Sequence, residues 1–226
     1  MAGGKGTRLK PFTEVLPKPL IPINNKTAIS TIIDQFKMYK IKKFYISLNF
    51  KKEILESYLK YINKNKKYSF FFLNEKKPLG TAGPIKLLEG KIKQDFFVVN
   101  CDVIFNFDIS NLKRIHVKNK NILTIVVTSK KQSIPYGVCY SEDGKSLKEF
   151  KEKIENEFNI NIGLYLVNKK IFKYIKKNKN LDFDKLINIL LKNNEKIGLY
   201  FIESNNWKDV GQWDNYNDFT SNGKKN

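Results

Sequence analysis

Short apolar segments alternate with amphipathic segments along most of the chain. Between the apolar runs, residues 28–39, 51–62 and 110–118 carry apolar side chains at helical spacing. The runs themselves are strand-sized and rich in aromatic and β-branched residues, at 44–48, 70–73, 96–99 and 123–127. Strands that alternate with helices predict an α/β fold, in which a mainly parallel sheet is covered by helices on both faces.

The second half of the chain has a different pattern. Three strand-like runs follow one another with little helix between them, at 136–140, 147–150 and 160–167, which indicates antiparallel additions to a mixed sheet. Helical spacing returns over 169–177 and 183–192, followed by a strand at 197–202 and a last helix from about Gln212. No repeat or linker interrupts the pattern, so we predict a single domain over 1–226.

Charge raises the possibility of a nucleic-acid partner, because the formal net charge is +20. The lysines are spread over the whole chain and only two arginines occur, Arg8 and Arg114, so we predict no specific nucleic-acid partner. No apolar run is long enough to cross a membrane. Cys101 and Cys139 lack metal-ligand spacing, which favours reduced thiols and a cytoplasmic location. The oligomeric state cannot be derived from these features.

A glycine-rich segment, Ala2-Gly-Gly-Lys-Gly-Thr-Arg-Leu9, opens the chain. Glycines let backbone N–H groups approach a phosphate, and Arg8 adds a planar fork of donors. The segment fits neither the Walker pattern nor the dinucleotide-binding pattern, and by itself it could be a plain loop. Such loops normally follow a buried strand, whereas none precedes this one. We therefore expect a sheet that lacks its first strand, in a chain that starts at an internal methionine or is part of a longer protein.

Three further residues are candidates for phosphate or metal chemistry. Prolines on both sides of Lys18 hold the chain extended and fix the direction of this lysine, although a surface turn would have the same sequence. Asp102 directly follows an apolar strand, at the sheet edge where open α/β folds bind ligands. The alternative for Asp102 is a turn or capping residue, and for Asp209 the N-cap of the last helix.

The glycine-rich segment together with Pro-Lys-Pro resembles the opening signature of the sugar-1-phosphate nucleotidylyltransferase family. Further motifs of that family follow in its order and at about its spacing. They are Pro78-Leu-Gly-Thr-Ala-Gly83, Asn100-Cys-Asp102, Tyr136-Gly-Val138, Glu152-Lys153, Asn161-Ile-Gly163 and Trp207-Lys-Asp-Val-Gly211. The resemblance covers nearly the whole chain. It implies a Rossmann-like three-layer α/β/α fold and an Mg²⁺-dependent transfer of a nucleotidyl group to a sugar 1-phosphate, with release of pyrophosphate.

The resemblance also implies roles for individual residues. Arg8, Lys18, Asp102 and Asp209 would be catalytic, and the two aspartates would hold Mg²⁺, which prefers carboxylates together with substrate phosphates. The residues implied in nucleotide binding are Ala2, Gly3, Gly4, Gly6, Thr7, Glu75, Gly80 and Thr81. Those implied in sugar-phosphate binding are Gly137, Glu152, Lys153 and Asn161. The family continues Glu-Lys with proline, whereas this chain has Ile154, which puts the shape of that loop in doubt.

Glu75 is the residue that the resemblance places against the nucleotide base. A carboxylate accepts hydrogen bonds, and guanine offers two adjacent donors, so Glu75 favours GTP and resembles the guanylyltransferase branches of the family. Use of UTP, dTTP or CTP stays open, as does a structural pairing of Glu75 with Lys76 or Lys77. A different class of function also stays open, namely an inactive or regulatory module that binds nucleotide sugars. The sole histidine, His116, is interpreted as a solvated or boundary residue.

Overall fold

The structure is a computed structural model that describes residues 1–211. The helices are α1 (Phe12–Val15), α2 (Ala28–Met38), α3 (Lys52–Ile62), α4 (Ile109–Lys118) and α5 (Phe183–Lys192). The strands are β1 (Pro22–Ile23), β2 (Lys26–Thr27), β3 (Lys43–Leu48), β4 (Ser69–Asn74), β5 (Phe96–Val99), β6 (Val103–Phe105), β7 (Leu123–Ser133), β8 (Val138–Tyr140), β9 (Glu149–Lys151), β10 (Glu155–Val167), β11 (Ile197–Ile202) and β12 (Trp207–Asp209). Short 3₁₀ turns cover Thr7–Leu9, Lys18–Leu20, Gly83–Leu88, Lys169–Tyr174 and Ser204–Asn206.

A mixed four-stranded sheet forms the centre, in the order β11-β7-β10-β5. β11 runs parallel to β7, and β10 is antiparallel to both β7 and β5, so three of the four strands share one direction. β3 and β4 form a separate parallel pair. The remaining pairs are antiparallel: β1 with β2, β8 with β9, and β6 with β12. The predicted α/β class with a mixed sheet is confirmed.

Helices pack on both faces of the central sheet because side chains alternate along its strands. On β7, Ile125 and Val127 belong to the core that contains Leu186 of α5, whereas Val126 between them belongs to the core that contains Phe36 of α2 and Leu112 of α4. A third core joins α2 and α3 to β3. The three-layer arrangement predicted from the sequence is therefore present.

The beginning of the chain lies between the ends of β3 and β5. The backbone nitrogen of Met1 lies 2.6 Å from the carbonyl oxygen of Val99, and the N–H of Ala2 donates to Ser47 Oγ at 3.3 Å. Within residues 1–211 no strand pairs with both β3 and β5, as expected for a sheet without its first strand. The glycine-rich segment thus leaves the sheet at the carboxyl ends of these two strands.

Several elements differ from the sequence-based prediction. The helix predicted over 169–177 is a 3₁₀ turn at Lys169–Tyr174, in which the side chain of Asn168 accepts a hydrogen bond from the N–H of Lys170. β7 and β10 extend past the core as an exposed two-stranded ribbon. The three-residue strands β6 and β12 were not predicted, because they are too short to show a period. The helix predicted from Gln212 lies outside the described residues. Among residues 1–211, no helix is both long and apolar enough to span a membrane.

His116 is buried, contrary to the prediction of a solvated or boundary residue. It lies on the apolar face of α4 with 1% of its surface exposed, and its Nδ1 is 2.7 Å from Thr124 Oγ1. Its Nε2 is 3.6 Å from a carboxylate oxygen of Asp95. Burial lowers the pKa of His116 and outweighs the opposing effect of Asp95, because a charged imidazolium loses more hydration than this carboxylate restores.

We expect this burial to make stability depend on pH. The unfolded chain binds a proton at His116 near pH 6.5, whereas the folded chain does so only at lower pH, so the free energy of unfolding should fall as pH is lowered from 7 to 5. Urea denaturation across this range measures the slope. The variant His116→Gln should unfold more easily at pH 7 but show a flatter slope. Equal slopes for the two proteins would contradict the assignment.

Candidate active site at the carboxyl ends of the strands

Two adjoining cavities open where β5 ends. One, here called the glycine-loop cavity, has a volume of about 380 Å³. The other, here called the carboxylate cavity, has a volume of about 430 Å³. Arg8, Asn100 and Asp102 line both. The two cavities therefore share a wall, and two ligands bound in them would meet at Asp102 and Arg8.

Asp102 is placed by the end of β5 and by the pairing that follows it. The N–H of Asn100 donates to the carbonyl oxygen of Gly163 at 3.0 Å, which ends the strand beside β10. β6 then begins at Val103 and pairs with β12, so that Val103 lies opposite Asp209. The N–H of Val210 donates to the carbonyl oxygen of Asp102 at 3.0 Å. This small antiparallel ladder brings the two predicted metal ligands to the same place.

Lys18 forms an ion pair with Asp102 close to Asp209. Its Nζ donates to Asp102 Oδ2, and only 12% of each of these two side chains is exposed. A Cβ atom at Gly211 would lie 2.7 Å from Lys18 Nζ and 2.8 Å from Asp209 Oδ1, and would overlap Asp102 Oδ2. Only glycine leaves room at position 211. Oxygen atoms of both carboxylates and the ammonium nitrogen of Lys18 all lie within 3 Å of the Cβ position that another residue would occupy there.

The local backbone of Lys18 is a turn and not the extended segment that the two prolines predicted. Pro17 is extended, with ψ 141°, but Lys18–Leu20 forms a 3₁₀ turn in which the N–H of Leu20 donates to the carbonyl oxygen of Pro17. The buried side chains of Leu20 and Ile21 fix this turn against the core. The direction of the Lys18 side chain is still fixed, as expected, but the 3₁₀ turn and its packing fix it in place of an extended backbone.

The glycine-rich segment lines the glycine-loop cavity with Gly3, Gly4, Gly6, Thr7 and Arg8. Gly6 has φ +66°, which glycine adopts without strain, and it begins the short turn that carries Arg8. Ala2, which was also predicted to contact a nucleotide, is buried and does not line the cavity. Its backbone anchors the segment to Ser47 instead.

Glu75 also lines the glycine-loop cavity, with Gly80 and Thr81, and its Oε1 would lie 2.8 Å from a Cβ atom at Gly3. Its Oε2 accepts a hydrogen bond of 3.0 Å from the N–H of Leu79. Burial raises the pKa of Glu75 above its usual range, and this effect outweighs the hydrogen bonds from Leu79 and Ser47 that favour the carboxylate. The side chain therefore braces the loop that follows it while bordering the cavity.

The predicted sugar-phosphate residues do not all come together. Asn161 lines the carboxylate cavity, where its amide donates to the hydroxyl of Tyr165 at 2.6 Å. Gly137, Glu152 and Lys153 are exposed and line neither cavity. They lie in the loops between β7 and β10, beyond the part of the sheet that is packed against helices.

Three residues of the carboxylate cavity were missed by the sequence analysis. They are Lys130 on the exposed part of β7, Tyr165 on β10 and Trp207 on β12. Lys130 is one of many dispersed lysines, and nothing in the sequence sets it apart. Trp207 lies two residues before Asp209 in the same motif, and this spacing was the signal that could have placed it beside the cavity.

Lys18, Asp102 and Asp209 form the charged centre of the site. In the described residues, no group of three or more histidine, cysteine, aspartate or glutamate side chains could hold a metal ion. Two carboxylates are nevertheless a usual protein contribution to Mg²⁺, which takes its other ligands from water and substrate phosphates. Oxygen atoms of both aspartates lie within 3 Å of the Cβ position of Gly211, and Lys18 shows that a cation is bound by Asp102 there, so the donor set fits a divalent cation.

A comparison with protein families identifies this arrangement. The family model described as "Nucleotidyl transferase" matches residues 1–226. The chain belongs to the nucleotidyl transferase family. The mannose-1-phosphate guanyltransferase of Yarrowia lipolytica is 37% identical over 174 residues, which cover 74% of this chain and 48% of that protein. The mannose-1-phosphate guanyltransferase of Candida albicans is 34% identical over 220 residues, which cover 94% of this chain and 60% of that protein.

Solved structures of the family confirm the fold. HddC from Yersinia pseudotuberculosis, in its complex with GMP-PN, superimposes with a TM-score of 0.74 at 22% identity, covering 98% of this chain and 96% of that chain. The chain spans between about half and three fifths of the curated relatives named above. The chain thus matches nearly the whole of that solved structure and only part of those curated relatives.

Removing the Lys18 ammonium should strengthen the binding of a divalent cation. In the variant Lys18→Met the two carboxylates keep their charge and lose their internal counter-ion, and the repulsion between the ammonium group and a bound cation is removed. Solvent screening leaves a gain of about 1.4 kcal/mol, which is a factor of about ten in affinity. We expect Mn²⁺, followed by electron paramagnetic resonance without nucleotide, to bind about tenfold more tightly. Lys192→Met, on an exposed turn of α5, is the matched control. Weaker Mn²⁺ binding by Lys18→Met would count against a metal site between the aspartates.

Proposed function

We propose that this chain carries the active site of an enzyme that transfers a nucleotidyl group, GMP from GTP in the favoured case, to a sugar 1-phosphate. The observation that carries the proposal is the buried Lys18–Asp102 pair at the wall between two adjoining cavities. The relatives named mannose-1-phosphate guanyltransferase support it. The sugar stays open.

The nucleoside triphosphate belongs in the glycine-loop cavity. Three glycines there allow close approach of the backbone to phosphate groups, and Arg8 supplies donors in a fixed fork. Lys18 adds a second positive charge on the same side. The base is then directed toward Glu75 and the 78–81 loop, which also line this cavity.

The sugar 1-phosphate belongs in the carboxylate cavity, whose lining is mainly polar. Asn161, Tyr165 and Asn100 offer hydrogen bonds of the kind that hold sugar hydroxyls. Arg8 and Lys130 are the cations at its edge. Lys153, which the family resemblance assigns to the sugar phosphate, lies outside this cavity, so its role requires the β7–β10 ribbon to bend toward the site.

The reaction needs positioning and charge neutralisation more than it needs a base. The second pKa of a phosphate monoester is near 6, so the sugar phosphate is already mainly dianionic at neutral pH. One of its oxygens forms a bond to the α-phosphorus, and the bond from that phosphorus to the pyrophosphate oxygen breaks. Arg8 and Lys18 hold the two anions together and neutralise charge on the transferring group.

Asp102 and Asp209 would hold Mg²⁺ in this scheme. When bound, the ion neutralises charge on the reacting phosphates. The two aspartates meet this need because β6 and β12 hold them at one point, and because Gly211 leaves the space beside them open. Lys18 keeps the carboxylate pair neutralised until substrate arrives, and its flexible stem allows the ammonium group to move to the phosphates.

The variant Asp102→Asn should lose at least about 100-fold in the rate of pyrophosphate release, since it removes one negative ligand and the partner of Lys18. The assay combines the full-length protein, Mg²⁺, each nucleoside triphosphate and a panel of sugar 1-phosphates. Asp108→Asn, which keeps an oxygen that caps α4, is the control and should retain activity. A folded wild-type protein that releases no pyrophosphate with any pair would contradict the proposal and favour a regulatory module that binds nucleotide sugars.

The variant Glu75→Gln should change the choice of base. Glutamine both donates and accepts, which suits uracil or thymine better than the two adjacent donors of guanine. We expect kcat/KM for GTP to fall about tenfold or more relative to that for UTP or dTTP. An equal loss with every nucleotide would mean that Glu75 only braces the loop through Leu79.

A further inference from the structure

The outer wall of the glycine-loop cavity is a loop, Pro78–Gly83, that contains no regular strand or helix of its own except the turn that starts at Gly83. A loop of this kind has no internal ladder to fix its shape, so its position depends on what it is bonded to. Within residues 1–211, the loop accepts one hydrogen bond from Ile85 in the turn that follows and donates one to Glu75. Its other hydrogen-bond partners lie in one distant segment, Asn180–Phe183, at the start of α5.

Backbone hydrogen bonds tie the loop to this segment. The carbonyl oxygen of Leu181 accepts from the N–H groups of both Ala82 and Gly83, each at 2.9 Å. In return, the N–H of Leu181 donates to the carbonyl oxygen of Leu79 at 2.9 Å. These bonds are independent of side chains, and they hold Leu181 against both ends of the loop.

A reciprocal side-chain exchange completes the connection. Asp182 Oδ1 accepts from the N–H of Thr81 at 2.8 Å and from the Thr81 hydroxyl at 3.2 Å, across 101 residues of sequence. The Thr81 hydroxyl in turn accepts from the N–H of Phe183 at 3.0 Å. Asp182 occupies the N-cap position of α5 but makes no capping bond within its own helix. Thr81 caps the helix, and Asp182 holds the loop.

Gly80 shows how close the contact is. It has φ +77°, and a Cβ atom there would lie 2.6 Å from the carbonyl oxygen of Leu181 and 2.7 Å from Asp182 Oδ1. The loop can reach the segment only because position 80 has no side chain. The motif Pro78–Gly83 therefore serves the contact with α5 as well as the cavity.

The segment is a rigid support. Phe183 is buried and stacks on the ring of Tyr165, with centroids 3.9 Å apart, and Leu186 and Leu190 anchor α5 in the main core. Asp182 itself does not line the cavity. Asp182 can therefore affect ligand binding only through the position of the Pro78–Gly83 loop, and not by contacting the ligand.

We propose that Asp182 is a positioning residue for the nucleotide, which holds the Pro78–Gly83 loop at the start of α5 and so sets nucleotide affinity without contacting the nucleotide. The inference rests on the proposed function, because it takes the glycine-loop cavity as the nucleotide site. The Thr81 hydroxyl is then committed to α5, and the contribution of Thr81 to the cavity is its backbone and methyl group.

The test compares three variants with the wild-type protein. Asp182→Ala removes the acceptor, Asp182→Asn keeps an acceptor oxygen in the same place, and Asp184→Ala removes a charge of the same kind from the exposed side of the first turn of α5. Circular dichroism and thermal unfolding establish that each variant is folded. Affinity is measured by titration with a fluorescent GTP analogue, and pyrophosphate release gives KM and kcat for both substrates.

We expect Asp182→Ala to weaken nucleotide binding and to raise KM for GTP by about tenfold or more, since two hydrogen bonds to a charged acceptor are lost. kcat and KM for the sugar 1-phosphate should change by no more than about twofold, Asp182→Asn should recover most of the affinity, and Asp184→Ala should match the wild type. A folded Asp182→Ala that binds nucleotide as tightly as the wild type overturns the inference, as does equal loss in the Asn variant.

The outcome is separable from that of the proposed function. A wild-type protein that binds the GTP analogue but releases no pyrophosphate contradicts the enzyme, while the binding titration still tests Asp182. A wild-type protein that is active, combined with an Asp182→Ala variant of unchanged affinity, contradicts only the role of Asp182.

Discussion

Two carboxylates side by side in a half-enclosed site repel each other, and the ammonium group of Lys18, which is paired with Asp102, offsets part of that repulsion. The pairing of β6 with β12 brings Asp209 beside Asp102, and the close approach at Gly211 leaves no room for a neutral side chain to separate them. The 3₁₀ turn after Pro17 delivers the ammonium group to the same point. The two cavities meet at this charged centre, so the distance between ligands bound in them depends on it.

Much of the fold could be predicted because its main strands and helices are long enough to show their period. Phe96–Val99, Phe183–Lys192 and Ile197–Ile202 have the bounds that the apolar pattern indicated. β6 and β12 could not be predicted, since a three-residue strand is defined by its partner and not by its own sequence. The burial of His116 was missed for a related reason: the two side chains nearest to its ring nitrogens, Thr124 and Asp95, belong to other parts of the fold.

The positions of site residues could be predicted where a sequence motif determines the local backbone. They could not be predicted where a residue depends on contacts with distant parts of the fold. The glycine segment, Lys18, Asp102 and Asp209 come together as the motifs implied. The roles given to Gly137, Glu152 and Lys153 stay predictions, because the ribbon that carries them is exposed and its course is not fixed by core packing. The role of Asp182 could not be predicted from the sequence. An aspartate directly before a helix has the same local sequence whether it caps that helix or binds a distant loop.

The two aspartates of the site are held by different parts of the fold, which lie far apart along the chain. Every strand of the central sheet ends by Ile202, before β12 begins. Asp102 is therefore held at the end of a strand of that sheet, whereas Asp209 is brought to the site by β12. A chain shortened before β12 would contain every strand of the central sheet and still lack half of the carboxylate pair.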